Sequence, residues 1–167
     1  MLNEQIPKIK ISQRAFSSMI CELEEYPDVE TGGVLLGYSS NDCWNIIEAT
    51  DPGIKAVRKT AEIQCDMEYL EHTVNILNRI YNPSLEQVGV WHKHNHSYNP
   101  PFSETDKEMH IKLASAKSHD IVSILFQKEN ETDEYSIHVF LCDNLGKTEE
   151  LEFEIEDLNH IISYEYS

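Results

Sequence analysis

Two histidines separated by one residue close the run Gly89-Val90-Trp91-His92-Lys93-His94, and a polar, proline-bearing loop leads from them to Phe102-Ser103-Glu104-Thr105-Asp106. Leu85 to Trp91 contains Val88, Val90 and Trp91 and reads as a strand, and a strand sends residues i and i+2 to the same face. His92 and His94 therefore point the same way. Ser103 to Ser118 reads as a helix: Ser103 is a favourable N-cap, Glu104 and Asp106 place acids in the first turn, and Met109, Leu113 and Ala116 form the expected buried stripe. A carboxylate in that turn can swing towards the strand end. Catalytic zinc commonly takes three protein ligands from His and Asp or Glu and keeps a fourth position for water. His92, His94 and Asp106 supply that set, which is the layout of a zinc hydrolase.

Taken singly, these residues have plainer readings. A lone histidine on a strand is more often a packed or surface residue, and Ser-x-x-Asp before an apolar helix is more often only a cap. Their order along the chain, together with an upstream segment, favours the chemistry. That segment is Glu30-Thr31-Gly32-Gly33-Val34-Leu35-Leu36-Gly37-Tyr38. Its apolar run, bracketed by glycines, reads as a buried strand entered through a tight Gly-Gly turn. Glu30 stands just before it, where its carboxylate could approach water on a metal. A metal lowers the pKa of such water towards about 7, and a neighbouring carboxylate can take the proton and pass it to a leaving amine. Without the histidines, Glu30 would be one exposed acid among many.

With both segments present, the chain resembles the JAMM metalloproteases, also called the JAB or MPN domain family. Their pattern is a Glu ahead of a Gly-x-Leu-Leu-Gly strand, then Gly-x-Trp/Tyr-His-x-His-Pro, then Ser-x-x-Asp. Glu30 and Gly33 to Gly37 match the first piece, Gly89 to His94 the second, and Ser103 and Asp106 the third. The resemblance implies that His92, His94 and Asp106 bind one Zn2+, that Glu30 is the general acid/base, and that Ser103 helps hold the oxyanion. It covers residues 10 to 145. There are two departures: Asn95 stands where a proline usually follows the second histidine, and the interval from His94 to Asp106 is one residue longer than usual. His96 opens a rival register, His94-x-His96, whose interval is one residue too short. The preceding Gly-Val-Trp favours His92 as the first ligand, which leaves His96 as a neighbouring, substrate-facing or plain loop histidine, or as a replacement ligand if the loop folds back.

A chain of 167 residues reads as one domain, a JAB/MPN-like core over residues 10–145 with an acidic C-terminal segment over 146–167. A net charge of −17 argues against a nucleic-acid partner, which needs clustered Lys and Arg, and suits a basic protein partner better. Cys21, Cys43, Cys65 and Cys142 show no Cys-x-x-Cys spacing and read as thiols of a reducing compartment. With no N-terminal apolar signal segment and no run long enough to cross a bilayer, the expected location is the cytoplasm, away from the membrane.

The remaining elements predict an α/β (α+β) fold, a mixed sheet flanked by helices. Ser12 caps a helix through Glu25, with Phe16, Met19, Ile20 and Leu23 on its inner side and Pro27 beyond its end. Strands are expected at Gly33 to Tyr38, Cys43 to Ala49 and Ala61 to Gln64. A helix from Asp66 to Tyr81 shows Met67, Leu70, Val74 and Leu77 at helical spacing and stops at Asn82-Pro83. Ile121 to Gln127 and Tyr135 to Leu141 read as a hairpin, Leu151 to Ile155 as an edge strand, and the acid-rich tail as a short helix or loose chain. Trp91 alternates away from His92 and is expected to pack beneath the site.

The resemblance points to amide bonds after the Gly-Gly tail of a ubiquitin-like protein. Small stand-alone members look similar to bacterial versions associated with ubiquitin-like conjugation systems, including antiviral ones, where activating and conjugating (E1- and E2-like) enzymes are further partners. An extended tail could add a strand to a sheet edge, and the region between Cys43 to Ala49 and Asp66 to Tyr81 is a candidate for part of the tail channel. Two other classes stay open: a same-fold hydrolase of a small-molecule or carrier-protein amide, and a non-catalytic scaffold.

Overall fold

The elements of the computed structural model, which describes residues 5–96, 100–129, 132–157 and 163–164, follow in order: β1 (Lys8–Ser12), α1 (Gln13–Glu25), β2 (Thr31–Ser39), β3 (Cys43–Ala49), β4 (Val57–Arg58), β5 (Ile63–Gln64), α2 (Met67–Ile80), β6 (Tyr81–Asn82), β7 (Glu86–His94), α3 (Glu104–Lys117), β8 (Ile121–Lys128), β9 (Tyr135–Cys142), β10 (Thr148–Glu150), β11 (Phe153–Glu156) and β12 (Ser163–Tyr164). Eight of the strands form one curled sheet in the order β10-β9-β8-β7-β2-β3-β1-β11. It is mixed: β1 runs parallel to β3 and β11, β7 runs parallel to β8, and the other pairs are antiparallel. The predicted mixed sheet flanked by helices is therefore what the chain forms.

Side-chain alternation assigns the helices to faces. Along β8, Val122, Ile124 and Phe126 join the larger core, with Met19 and Leu23 of α1 and Ile9 and Ile11 of β1. Ile121 and Leu125 turn the other way, onto Ala114 of α3, Phe102 and Phe140. On that second face Leu36 and Ile47 pack on Tyr81 and Leu85, with Val74 and Leu77 of α2 against them. Helix α1 is thus alone on one face, and α2 and α3 share the other. The β2–β7 register slips between Leu35 and Leu36, which pair with Gly89 and Gln87. The slip leaves Val88 opposite no β2 residue and lets both Val88 and Trp91 enter the larger core despite their odd spacing.

Ser12 caps α1, accepting from the Ala15 amide at 2.9 Å and donating to the Ile47 carbonyl at 2.6 Å, so the helix start is tied to β3. Three differences from expectation have local causes. Strand β1 holds only two inward residues, Ile9 and Ile11, immediately before a helix cap, and β4 and β10 are two and three residues long. Such pieces are too short for a period to show. Met67, expected in the α2 stripe, is 71% exposed because it is the first helical residue after the Asp66 cap. In α3 the buried residues are His110 and Ala114, with Leu113 half-buried, whereas Met109 and Ala116 face outwards. The stripe is rotated by about one residue from the apolar pattern. Strands β10 and β11, from the acidic C-terminal stretch, close the two edges of the sheet, and Leu151 between them is buried in the larger core. Residues 158–162 and 165–167 of the expected tail lie outside those described. No helix among the described residues is long and apolar enough to cross a membrane.

Candidate metal centre

Strand β7 runs to His94, three residues beyond the expected end at Trp91, so both histidines sit inside the sheet between β2 and β8. His92 pairs with Gly32 on one side and Leu125 on the other, and His94 pairs with Gln127. Gly32 is required here by close approach: a Cβ on it would stand 2.4 Å from the Trp91 carbonyl oxygen and 2.9 Å from the Cβ of His92. The absent side chain lets β2, which Glu30 directly precedes, lie close against the ligand strand.

Alternation turns His92 and His94 to the α3 face and Trp91 and Lys93 to the α1 face. The His92 and His94 Nε2 atoms lie 3.0 Å apart, with ring centroids at 4.6 Å. Asp106 brings Oδ1 to 3.8 Å from His92 Nε2 and Oδ2 to 3.8 Å from His94 Nε2. All three ligand-capable atoms fall within 4.8 Å of one another. Ligands held at about 2.0–2.2 Å by one tetrahedral ion lie roughly 3.3–3.6 Å apart, so the spacing fits a single cation with little adjustment. Both histidines are buried, and Asp106, with 19% of its side chain exposed, forms the open rim. His96 is exposed beyond the strand end and is not in this group; loop residues 97–99 lie outside the described chain.

The charge states suit a cation. Burial pushes the pKa values of His92 and His94 down, against the pull of Asp106, and leaves neutral imidazoles. Burial opposes the charge on Asp106, but His92, the Ser103 amide and hydroxyl, and His94 outweigh it and hold the carboxyl below its ordinary range. Ligands must be deprotonated to bind, and these three already are at neutral pH.

Ser103 caps α3 in a reciprocal box: its Oγ accepts from the Asp106 amide at 3.1 Å, and the Ser103 amide and hydroxyl each donate to Asp106 Oδ2 at 2.8 Å. The predicted oxyanion group is therefore also the support that aims Asp106. Ser103→Ala is expected to cost about 1 kcal/mol as a lost cap and to weaken metal binding by about 10-fold or more as a lost support. Melting and zinc titration of the same variant check this; unchanged zinc affinity would detach the hydroxyl from Asp106.

Glu30, the residue before β2, is buried, and its amide donates to the Lys59 carbonyl at 2.7 Å. Burial, then the negative charge of Asp106, raise its carboxyl pKa to about 7, with Lys93 opposing. The charge of Asp106 reaches Glu30, which directly precedes the strand whose Gly32 pairs with His92. Trp91 is buried on the opposite face, its indole N–H donating to the Thr50 carbonyl at 2.8 Å, and it forms the floor of the strand as expected.

Sequence reasoning passed over three participants. Phe102 packs beside His92 at 6.0 Å and meets His110 edge-on at 4.7 Å. His110 is buried one turn after Asp106, a relation that the i, i+4 rule makes visible. Lys93, between the two histidines in sequence, is fully buried on the opposite face, and burial pushes its pKa down to about 8. Elsewhere, an open cavity of about 710 Å³ lies between α1, the end of β3 and α2, lined by Arg14, Glu48, Tyr69 and Leu77 among others.

The buried titrating groups give the metal-free protein a signed pH dependence. His92, His94 and His110 are all lowered from 6.5, chiefly by burial, so the stability of their neutral forms is lost as pH falls below 6.5. Asp106, also lowered, acts in the same direction at lower pH. Glu30, raised from 4.5 to about 7, acts the other way: its contribution is full below 4.5 and lost as pH rises through 7. Three histidines outweigh one carboxyl, so the urea midpoint of metal-free protein is expected to fall between pH 7.5 and pH 5. A rising midpoint would contradict the buried neutral histidines.

No family model matches the chain. Over 104 residues it is 27% identical to a probable metalloprotease, y4qB, of Sinorhizobium fredii; the match spans 61% of this chain and 63% of that protein, under two thirds of the relative's length. The solution structure of protein DSY2949 from Desulfitobacterium hafniense superposes with a TM-score of 0.66 at 16% identity, covering 91% of this chain and 96% of that one, a likeness of fold. The similarity to a metalloprotease and the His-His-Asp group together fit a metal-dependent peptidase.

Proposed function

We propose that the protein is a JAMM-type, zinc-dependent peptidase or isopeptidase that hydrolyses the amide bond after the C-terminal glycine of a ubiquitin-like modifier. The observation that carries this reading is convergence: two strand histidines and an aspartate in the first turn of a helix meet at one point, and a buried glutamate just ahead of the neighbouring strand lies within electrostatic reach of the aspartate. The similarity to a probable metalloprotease supports it, as does the order of the motif pieces in the chain. The modifier, its activating and conjugating (E1- and E2-like) enzymes and a cytoplasmic, antiviral setting come from the resemblance alone.

His92, His94 and Asp106 are the groups that would hold the ion. A bound divalent cation supplies Lewis acidity towards a carbonyl oxygen and acidifies water at its open position. The rest falls to the chain. Glu30, with its pKa raised to about 7, accepts a proton from water and returns it to the leaving amine, since a group poised near neutrality serves in both directions. Ser103 has one hydroxyl proton, given to Asp106 Oδ2 in the structure; turned instead to the tetrahedral oxyanion, it would leave the Ser103 amide to hold Asp106. A Gly-Gly tail lets the backbone of the substrate approach this crowded centre closely. We place part of its path in the region between β3 and α2.

The test is cleavage of ubiquitin bearing a short extension after its Gly-Gly, with zinc content measured on the same sample. Cleavage by the zinc form supports the proposal. Zinc without cleavage would move the substrate to a small-molecule or carrier-protein amide, and failure to bind zinc would restore the scaffold reading.

A further inference from the structure

Asn95 follows the second histidine, where the resembling motif has a proline that carries no donor at all. Its side chain is buried, and its amide nitrogen donates to two carbonyls from separate segments: Asp28, two residues before Glu30, at 3.1 Å, and Thr60, in the turn between β4 and β5, at 2.9 Å. The orientation of the amide follows from its partners, because the reverse would put an oxygen against two carbonyl oxygens. The Asn95 oxygen meets no donor among the described residues, so the nitrogen does the holding.

Neighbouring bonds converge on the same short segment. Lys93 donates its ammonium to the Tyr26 carbonyl. Glu30 gives its own amide to Lys59, next to Thr60. The β4–β5 turn is itself anchored: the Arg58 guanidinium lies 2.7 Å from the buried carboxylate of Glu22, donates to the Thr31 hydroxyl at 3.3 Å and covers the Tyr26 ring at 3.8 Å. Residues 26 to 30 are thus tied at Tyr26 and Asp28 to the strand that carries the histidines, and at Glu30 to a braced turn that Asn95 also grips.

We propose that Asn95 is a positioning residue for Glu30: its amide fixes the distance between the Glu30 segment, the β4–β5 turn and the ligand strand. The inference rests on Glu30 acting in the reaction. Asn95 itself touches no substrate and no metal. Both Asp28 and Thr60 are held through backbone carbonyls, so their side chains can change without breaking the latch, whereas position 95 needs two donors from one short side chain. Proton transfer is sensitive to such placement, and a shift of about 1 Å can lower a rate by about 100-fold.

Zinc-loaded wild type, Asn95→Ala and the milder Asn95→Ser, which keeps one donor, are compared by hydrogen exchange and by cleavage of extended ubiquitin. For Asn95→Ala, exchange is expected to quicken about 10-fold or more over residues 26–31 and 57–60 while β8 and β9 keep wild-type rates, with Asn95→Ser between. kcat should fall by about 10- to 100-fold, with KM and zinc content within twofold of wild type. Unchanged exchange at Glu30, or uniform acceleration that includes β8, would overturn the proposal, as would an unchanged kcat or a loss of zinc. If Asn95→Ala does not fold, Asn95→Ser decides by the same readings. A wild type that leaves extended ubiquitin intact defeats the substrate reading, and exchange at Glu30 then decides the latch.

Discussion

Glu30→Gln is expected to bind zinc as the wild type does and to lose about 10²–10⁴-fold in turnover, the usual contribution of a positioned proton-transfer group. Glutamine keeps the size of the side chain and removes only its ability to exchange a proton. Glu30 is not among the three groups that gather at the metal centre, so the ion should stay. A second, independent sign follows from the raised pKa. Burial and the charge of Asp106 disfavour the Glu30 carboxylate, so the metal-free wild type loses this group's contribution as pH rises through about 7. The variant cannot, and its melting temperature at pH 8 should exceed that of the wild type. Full turnover with zinc intact would remove Glu30 from the mechanism, and a lower melting temperature at pH 8 would show that the carboxylate is stabilised in place.

The second large effect is loss of metal from His94→Ala. His94 is buried, its Nε2 is 3.0 Å from that of His92 and 3.8 Å from Asp106, and among the described residues no other imidazole joins these three in the group. Removing one of three protein ligands should weaken zinc binding by more than the about 10–100-fold that loss of a supporting residue costs. His96→Ala should leave zinc content unchanged, since His96 is exposed beyond the strand end. Should His96→Ala strip the ion and His94→Ala retain it, the ligand register is the alternative His94-x-His96 arrangement or one that uses His96 in another way.

How far the chain disclosed itself depended on the range of each rule. The common direction of His92 and His94 follows from strand alternation, and the Ser103 cap with Asp106 in its first turn follows from helix-terminus chemistry; both are local, and both are present in the fold. The mixed sheet followed from the order of strong elements. Strands β1, β4 and β10 escaped because two inward residues, or two- and three-residue strands, carry no measurable period. Met109 was misjudged because His110, a polar residue, takes the inward position on α3 that apolar patterning gave to its neighbour. Asn95 was legible only as a missing proline. Its two acceptors are backbone carbonyls distant in sequence, and no pattern of side chains announces them.

The three candidate ligands do not share one support. His92 and His94 belong to β7, paired on both sides in the interior of the sheet, whereas Asp106 stands at the first turn of α3, a helix that buries only His110 and Ala114. Fraying begins at helix ends, and interior strands open only with the whole fold. An ion would therefore be captured and released through the helix end, with a two-histidine form as the half-way state. The rate of metal exchange would report the opening of one helical turn, and the affinity of that half-way state would report the rigidity of the sheet.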